Sequence, residues 1–567
     1  MHLGSGSETM HRRQLIQAGA AAVAAGSLSA RGAMAQQAGD PIRKLVILSR
    51  PQSNNPQAYQ AAEIMVQEWR KLGLEIELRP LPRQQQSEVV WNRRQEWDMT
   101  MWQMVGRPER SDPDEFVYNL FHSSTAPTGY NFVGWENSEY DRLAEAQRVE
   151  TDPNRRQALV RQAQEVVNAD QPYLFLVHPV QVHAYNKAQL REGTMVNQAG
   201  LGLRNIWTYL GVEPVGNRRD LVLNASEPMQ AIHPLWISGA TDSWVTELVW
   251  DRLMRIGPDG LPQPWAAETV NYVNPTTLDV TIRQGMTFHD GSPVTVDDCI
   301  FSLQAPAIGR EAPMYRPFVL NIANVEKTGE RSFRVSLNRA DAGFLISCFA
   351  KLNIIPKAFW EPILREYEGR PENIERYVVE QPIGSGPFKV TRARLSEEII
   401  LEKNAAHWSP PKIDRWILRI VQNVEAMLGM LNRGEINFLA DYTGDAELVK
   451  QLAARNRNIV VNEAVDVGFQ FLGWNLRRPP FNDAAFRRAL SAAVNRELMA
   501  GAAWNGFAEP ANSHVSPALP FWHRNGIVEM LPSGLDTAQR LLQEAGYRVV
   551  NGRLHYPPGV RETTTPN

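Results

Sequence analysis

The sequence predicts an α/β protein of more than one lobe. Three observations carry this. The chain has 567 residues, more than one ordinary core accommodates. Strand-like and helix-like patterns alternate along it. Hydrophobic residues make up 43% and charged residues 21%, a soluble globular composition. The formal net charge is −3 and no Lys/Arg block stands out, which argues against nucleic acid as a partner.

The elements follow in order. Arg12–Arg13, an uncharged Ala/Gly-rich run from Gln14 to Ala30, and Ala33-Met34-Ala35 read as a signal peptide over residues 1–35. The arginine pair and weak hydrophobicity point to the twin-arginine route, hence a periplasmic location. No further stretch is apolar for the ~18 residues that a membrane span needs. Leu45–Ser49 is a short apolar strand. Asn55–Leu72 carries Ala62, Met65, Trp69 and Leu72 at helical spacing and stops at Gly73. "LEIELRPL" and "EWDMTMWQMV" read as strands, and "GRPERSDPDEF" as a charged, Pro-rich loop. Tyr140–Asn168 is helical but broken at "TDPNRR", where Thr151 or Asp152 can cap a new helix before Pro153. "YLFLVHPVQVHAYNK" is a strand pair or one long bent strand, and "YLGVEPVGNRRD" a short linker. Strands and helices then alternate to "LDTAQRLLQEAGY", a helix closed by Gly546. A hairpin turning at Asn551-Gly552 follows, and then a disordered tail. Cys299 and Cys348 are expected as buried free thiols, with a single disulfide as the alternative.

Two stretches carry a resemblance. "PWAAETVNYVNPTTLDVTIRQGMTFHDGSPVTVDDCIFSLQ" and "IGSGPFKV…IILEKNAAHW…IDRWILRIV", the latter followed by "FLGWNLRRPPFNDAAFRRALSAAVNR", resemble the peptide/nickel-type (family 5) extracellular solute-binding proteins of ABC importers. Three more segments resemble that family's C-terminal third yet stand at the front of this chain. They are "KLVILSRPQSNNPQAYQAAEIMVQEWRKLGLEIELRPL", "WDMTMWQMVGRPERSDPDEFVYNLFHSS" and the run from Glu139 to Lys187. Each segment occurs once, so the resemblance implies a circular permutation rather than a chimera of unrelated halves. Permutation is tolerated where native ends lie close together and the new cut falls in an exposed loop.

The resemblance implies a two-lobe periplasmic-binding-protein-like fold of type II, of the large cluster with an extra domain, here circularly permuted. Lobe two takes residues 41–165 and 465–557, lobe one takes 166–255 and 385–464, and the extra α/β domain takes 256–384. The linker at about 211–219 joins the family's usual termini, and 558–567 is the tail. Ligand is expected between the lobes. Trp474 and Asn475 in "LGWNLRRPPF" are implied cleft residues, as are Glu227 and His233 in "ASEPMQAIHPLW". In peptide-binding members an acidic residue three positions before an Asp-Pro-Asp element pairs with the ligand's amine. Here that slot holds Glu109, flanked by Arg107 and Arg110, either of which could instead neutralise it or bind a ligand carboxylate or phosphate.

Catalytic patterns are missing from the sequence. There is no His-Glu-x-x-His, Cys-x-x-Cys, Gly-x-Ser-x-Gly or Walker loop. His178 and His183 are five apart, on opposite faces of a strand, and so do not form one metal site. His289-Asp290 reads as a structural turn. The expectation is therefore a monomeric, non-enzymatic, cofactor-free binding protein. It captures a short peptide or peptide-like solute and delivers it to ABC importer permease subunits. A sensory or chaperone role, or a hydrolase on the same scaffold, is the alternative.

Overall fold

A computed structural model of the chain describes residues 38–560, apart from 128, 238–239, 309–314, 369–373 and 531. The expected signal peptide and residues 561–567 of the expected tail lie outside the described residues.

The chain begins in one half of a large sheet. Strand β1 (Leu45–Ser49) lies between two parallel neighbours, β2 (Ile76–Pro80) and β3 (Met99–Met104). Helix α1 (Pro56–Arg70) crosses between β1 and β2, capped by the Asn55 side chain and ended before Gly73, whose φ is 84°. Helices α2 (Ser138–Val149) and α3 (Pro153–Asp170) form a hairpin. Asp152, one of the two caps the sequence offers, caps α3 with Pro153 in its first turn.

Strand β4 (Tyr173–Asn186) then runs 14 residues as one continuous element, which settles the choice left open between a strand pair and one long strand. Helix α4 (Ile206–Gly211) and strand β5 (Asp220–Ala225) follow, joined by a segment fastened on both sides. Arg191 N donates to Glu213 O at 2.7 Å, and Lys412 Nζ meets the Glu213 carboxylate at 2.5 Å. Next come α5 (Ala240–Val249) and the β6–β7 hairpin (Met254–Ile256, Pro262–Pro264).

A separate four-stranded antiparallel sheet contains β8 (Ala267–Asn274), β9 (Thr277–Ile282), β10 (Ile322–Lys327) and β11 (Ser332–Leu337), in the order β10-β11-β9-β8. Helix α6 (Val296–Gln304) starts in a capping box between Thr295 and Asp298. Helix α7 (Lys357–Glu368) lies beyond it. Leu278, Val280, Phe333 and Val335 of this unit share one buried cluster with Leu221, Leu248 and Trp250, so it packs as an extension of the first lobe's core. Cys299 and Cys348 are both buried free thiols.

The chain re-enters the large sheet with β12 (Phe388–Arg394), β13 (Glu398–Lys403) and β14 (Arg415–Ile420), the last parallel to β5. Helix α8 (Val424–Arg433), β15 (Phe438–Leu439), helix α9 (Ala446–Arg455) and β16 (Ile459–Val465) complete that half. Strand β17 (Phe469–Trp474), helices α10 (Ala484–Ala492) and α11 (Arg496–Trp504), β18 (Ala508–Pro510) and α12 (Leu535–Glu544) return to the half where the chain began. The β19–β20 hairpin (Arg548–Val550, Arg553–His555) turns at Asn551-Gly552, both at positive φ, the conformation that pair favours.

The large sheet has twelve strands in the order β12-β13-β14-β5-β15-β4-β17-β3-β1-β2, with β16 and β18 also on β4. Its two halves are the two lobes, and β4 belongs to both. The described ends meet in the second lobe. Gly39 N donates to Tyr556 O and Ile42 N to Leu554 O, both at 2.9 Å. No helix among the described residues is long and apolar enough to cross a membrane.

Candidate functional site

Two chain passages join the lobes. One is β4. The other is β16–β17, which pairs with β4 from Ile459↔Asn186 to Val465↔Val180 and resumes at Gln470↔Val177. Between them Asp466 N donates to Pro179 O at 2.8 Å, and the buried His178 shares a 2.8 Å hydrogen bond with Gly468 O. Burial pushes the His178 imidazole down to about 4, so it is neutral in this crossing. A Cβ at Gly468 would lie 2.1 Å from Met104 O, so the closeness of β3 here requires glycine.

Beside the crossing, the loop after β3 (Val105–Pro108) faces the first lobe across a cavity of about 220 Å³. The first-lobe wall is built by α5, the segment before α4 and the start of the β6–β7 hairpin. It presents Arg204, Trp244, Glu247, Arg252 and Arg255. The Arg204 guanidinium lies 4.2 Å above the Trp244 ring, and its closest carboxylate contact is Asp441 at 3.8 Å. Arg252 is committed to the fold: it donates to Ala350 O at 2.9 Å and Asn353 Oδ1 at 3.3 Å. Arg255 is 2% exposed and donates through Nη2 to Glu247 O and Trp250 O. Its Nε and Nη1 have no hydrogen-bond partner among the described residues, and Glu247 Oε2 stands 3.7 Å from Nη1. Burial, with Arg252 adding to it, lowers the Arg255 pKa to about 10.

Farther out, the second lobe touches the extra unit. Arg156 makes paired 2.7 Å bonds to both oxygens of Asp112, adds bonds to Gln147, and reaches Ala342 O at 3.3 Å. Ala342 N donates to Arg148 O at 2.6 Å. Two of these contacts, Arg156 to Ala342 O and Ala342 N to Arg148 O, join the second lobe to the extra unit.

The residues named from the sequence fare unequally. Arg107 is exposed and lines the cavity. Glu109 lies in a short helical turn, Pro108–Ser111, in the same loop; its side chain is outside the described residues. Glu227 is exposed, and its carbonyl accepts a 3.3 Å bond from Thr241 near the start of α5. Four others are corrected. Arg110 is buried; it donates to Glu115 and Val105 O and covers the Phe116 ring, so it braces its own loop. Trp474 is fully buried between Trp69 and Phe481, at the end of β17 away from the crossing. Asn475 spends its amide on Arg94 O and Trp97 O, both at 2.7 Å. His233 is buried against Trp360 and bonded to Ile374 O at 3.1 Å; burial lowers its pKa to about 4. Family position suggested Trp474, Asn475 and His233, and nearness to Glu109 suggested Arg110; packing and hydrogen bonds inside the fold engage all four.

The wall residues Arg204, Trp244, Arg252 and Arg255 escaped the sequence reading. One signal was there: "LVWDRLMRI" sets two arginines inside an apolar run, where a solvated face would not place them.

With the geometry established, comparisons with known proteins agree on one group. The family model described as bacterial extracellular solute-binding proteins, family 5 Middle, matches residues 16–128 and 262–567. The oligopeptide-binding protein AppA of Bacillus subtilis is 27% identical over 280 residues, covering 48% of this chain and 49% of the relative. Heme-binding protein A of Haemophilus influenzae is 23% identical over 353 residues, covering 58% and 62%. The chain thus spans about half the length of several curated relatives it matches. Among solved structures, Bacillus subtilis AppA in complex with a nonapeptide aligns with a TM-score of 0.44 at 22% identity, over 59% of this chain and 65% of that one.

Proposed function

The chain belongs to the bacterial extracellular solute-binding proteins of family 5, and from that premise we propose that it captures a short peptide or peptide-like solute between its lobes and hands it to the permease subunits of an ABC importer. The cavity between the Val105–Pro108 loop and the first-lobe wall carries this reading. It lies beside two crossing passages, the arrangement in which a solute shifts two lobes from open to closed. Relatives named for oligopeptides, dipeptides and glutathione favour a peptide-like ligand, and Glu109 is offered as the partner of its amine. The protein works as a monomer, by binding and not by catalysis, and reaches the periplasm by the twin-arginine route.

The order of its segments is read as a circular permutation. Two observations support this. The segment 211–219 is fastened to the turn after β4 and to the loop before β14, and the described ends pair with each other in the second lobe. Matches that stop near half of each chain fit as well, since one collinear alignment takes only one of two exchanged pieces.

Native mass spectrometry of protein taken from the periplasm, followed by release and identification of its ligand, tests the function. A stoichiometric peptide is the expected result. An empty protein that gives no thermal shift with a peptide library overturns it and favours a sensory or chaperone role.

A further inference from the structure

The cavity is charged in one sense. Among the described residues, Arg107, Arg204, Arg252, Arg255 and Lys351 line it, with Glu247 as the carboxylate among the lining side chains. Two of these cations, Arg252 and Arg255, are buried in the wall, where water screens them poorly. Asp251 lies among them, but its carboxylate is engaged by His407 at 3.2 Å and by the Trp265 indole at 2.7 Å. Arg255 retains N–H groups that no described residue satisfies. A wall of this kind raises the potential of the space in front of it, and that space favours an anion.

Arg204 stands at that surface. Its side chain is 17% exposed and held by the Trp244 face at 4.2 Å, and its guanidinium forms no hydrogen bond with any described residue. Stacking fixes the plane of the group, and the Asp441 carboxylate stands 3.8 Å from it, beyond hydrogen-bond distance. Arg107 faces it from the other lobe, exposed and likewise without a side-chain hydrogen bond among the described residues.

We infer that Arg204 receives an oxyanion of the solute, with Arg107 closing on it from the second lobe and the buried Arg252 and Arg255 supplying the field. In the peptide reading, on which this inference rests, that oxyanion is a carboxylate. An oxyanion shared by two arginines from opposite lobes also stabilises the closed state over the open one, because only closure brings both donors to it.

The test compares trialanine with trialanine amide, and adds succinate and inorganic phosphate, by calorimetric titration of ligand-stripped protein. The acid is expected to bind about tenfold tighter than the amide or better. Arg204→Gln should erase that preference and Arg204→Lys should keep part of it. The acid–amide comparison is made in the unaltered protein, so a misfolded variant leaves it readable. Equal binding of acid and amide overturns the inference and leaves the peptide reading standing. If neither tripeptide binds, but succinate or phosphate binds and Arg204→Gln abolishes it, the subsite stands and the peptide reading falls. No binding of any probe overturns both.

Discussion

Arg156 and Arg255 are both buried, but their surroundings treat them differently. Arg156 meets Asp112 through two 2.7 Å bonds, Gln147 through its remaining edge, and the Ala342 carbonyl of the facing unit. Burial opposes its charge, but Asp112, joined by Asp114 and Asp341, outweighs it and raises the pKa. Arg255 has two carbonyls on one nitrogen, a carboxylate beyond hydrogen-bond distance, and a lowered pKa. The first region is a finished clasp: every donor is answered from within the chain. The second is a wall with spare positive charge beside a cavity. Buried polar groups are normally satisfied, so a charged group left short marks a place where the fold serves something other than its own stability.

The largest expected effect breaks the clasp. Arg156→Met leaves Asp112 buried without its countercharge and should cost about 3–5 kcal/mol in denaturant unfolding. Adding Asp112→Leu should recover much of the loss, since the stranded charge is then gone. If Arg156→Met alone costs under about 1 kcal/mol, the two regions do not differ as described.

A smaller effect titrates the clasp. Asp114 bonds to Gln147 and lies 3.1 Å from Arg148. Burial pushes its pKa up to about 6, with Arg148 opposing and Asp112 adding to the rise. The folded state then holds a proton that the unfolded chain has released, so this group's contribution is present near pH 4 and is lost as pH rises through about 6. Relative to Asp114→Asn, the wild type should lose about 2 kcal/mol between pH 4 and pH 7. The difference between the two proteins is the quantity to read. His178, His183 and His514 are held neutral by burial, and their shared contribution runs the other way, being lost as pH falls below about 6.5.

The wall should respond least. Arg255→Met removes a charge with unmet donors along with two bonds to carbonyls, and thermal unfolding should change by about 1 kcal/mol or less. Arg204→Gln, at the cavity surface, should change stability by about 0.5 kcal/mol or less while altering ligand preference. A stability loss at Arg204 comparable to that at Arg156 would make it a second clasp.

Local chemistry made much of the fold legible. The Asp152 cap, the Gly73 stop and the Asn551-Gly552 turn depend on a few adjacent residues, and each appears where the sequence puts it. Family membership was legible too, because long segments carry it. The site was legible only in its second-lobe loop. Arg107 lies on an exposed Pro-rich stretch that its own composition marks as a loop. Trp474, Asn475 and His233 could not be sorted into cleft or core from the sequence, since a buried aromatic or amide reads the same in either setting.

By itself, then, the sequence determined many of the elements, their caps and turns, the α/β class and the family. Only the tertiary structure decided which charges meet. Arg107 lies close to Asp112 in the chain, yet Arg107 faces the cavity while Asp112 is held by Arg156, 44 positions away. Arg204, Trp244 and Arg255 come together only when α5 and the β6–β7 hairpin pack beside the crossing. Helix caps and turns are set by interactions over a few bonds. The balance of charge in a cavity is set by groups distant in the chain and close in space, and burial then decides how strongly each is felt.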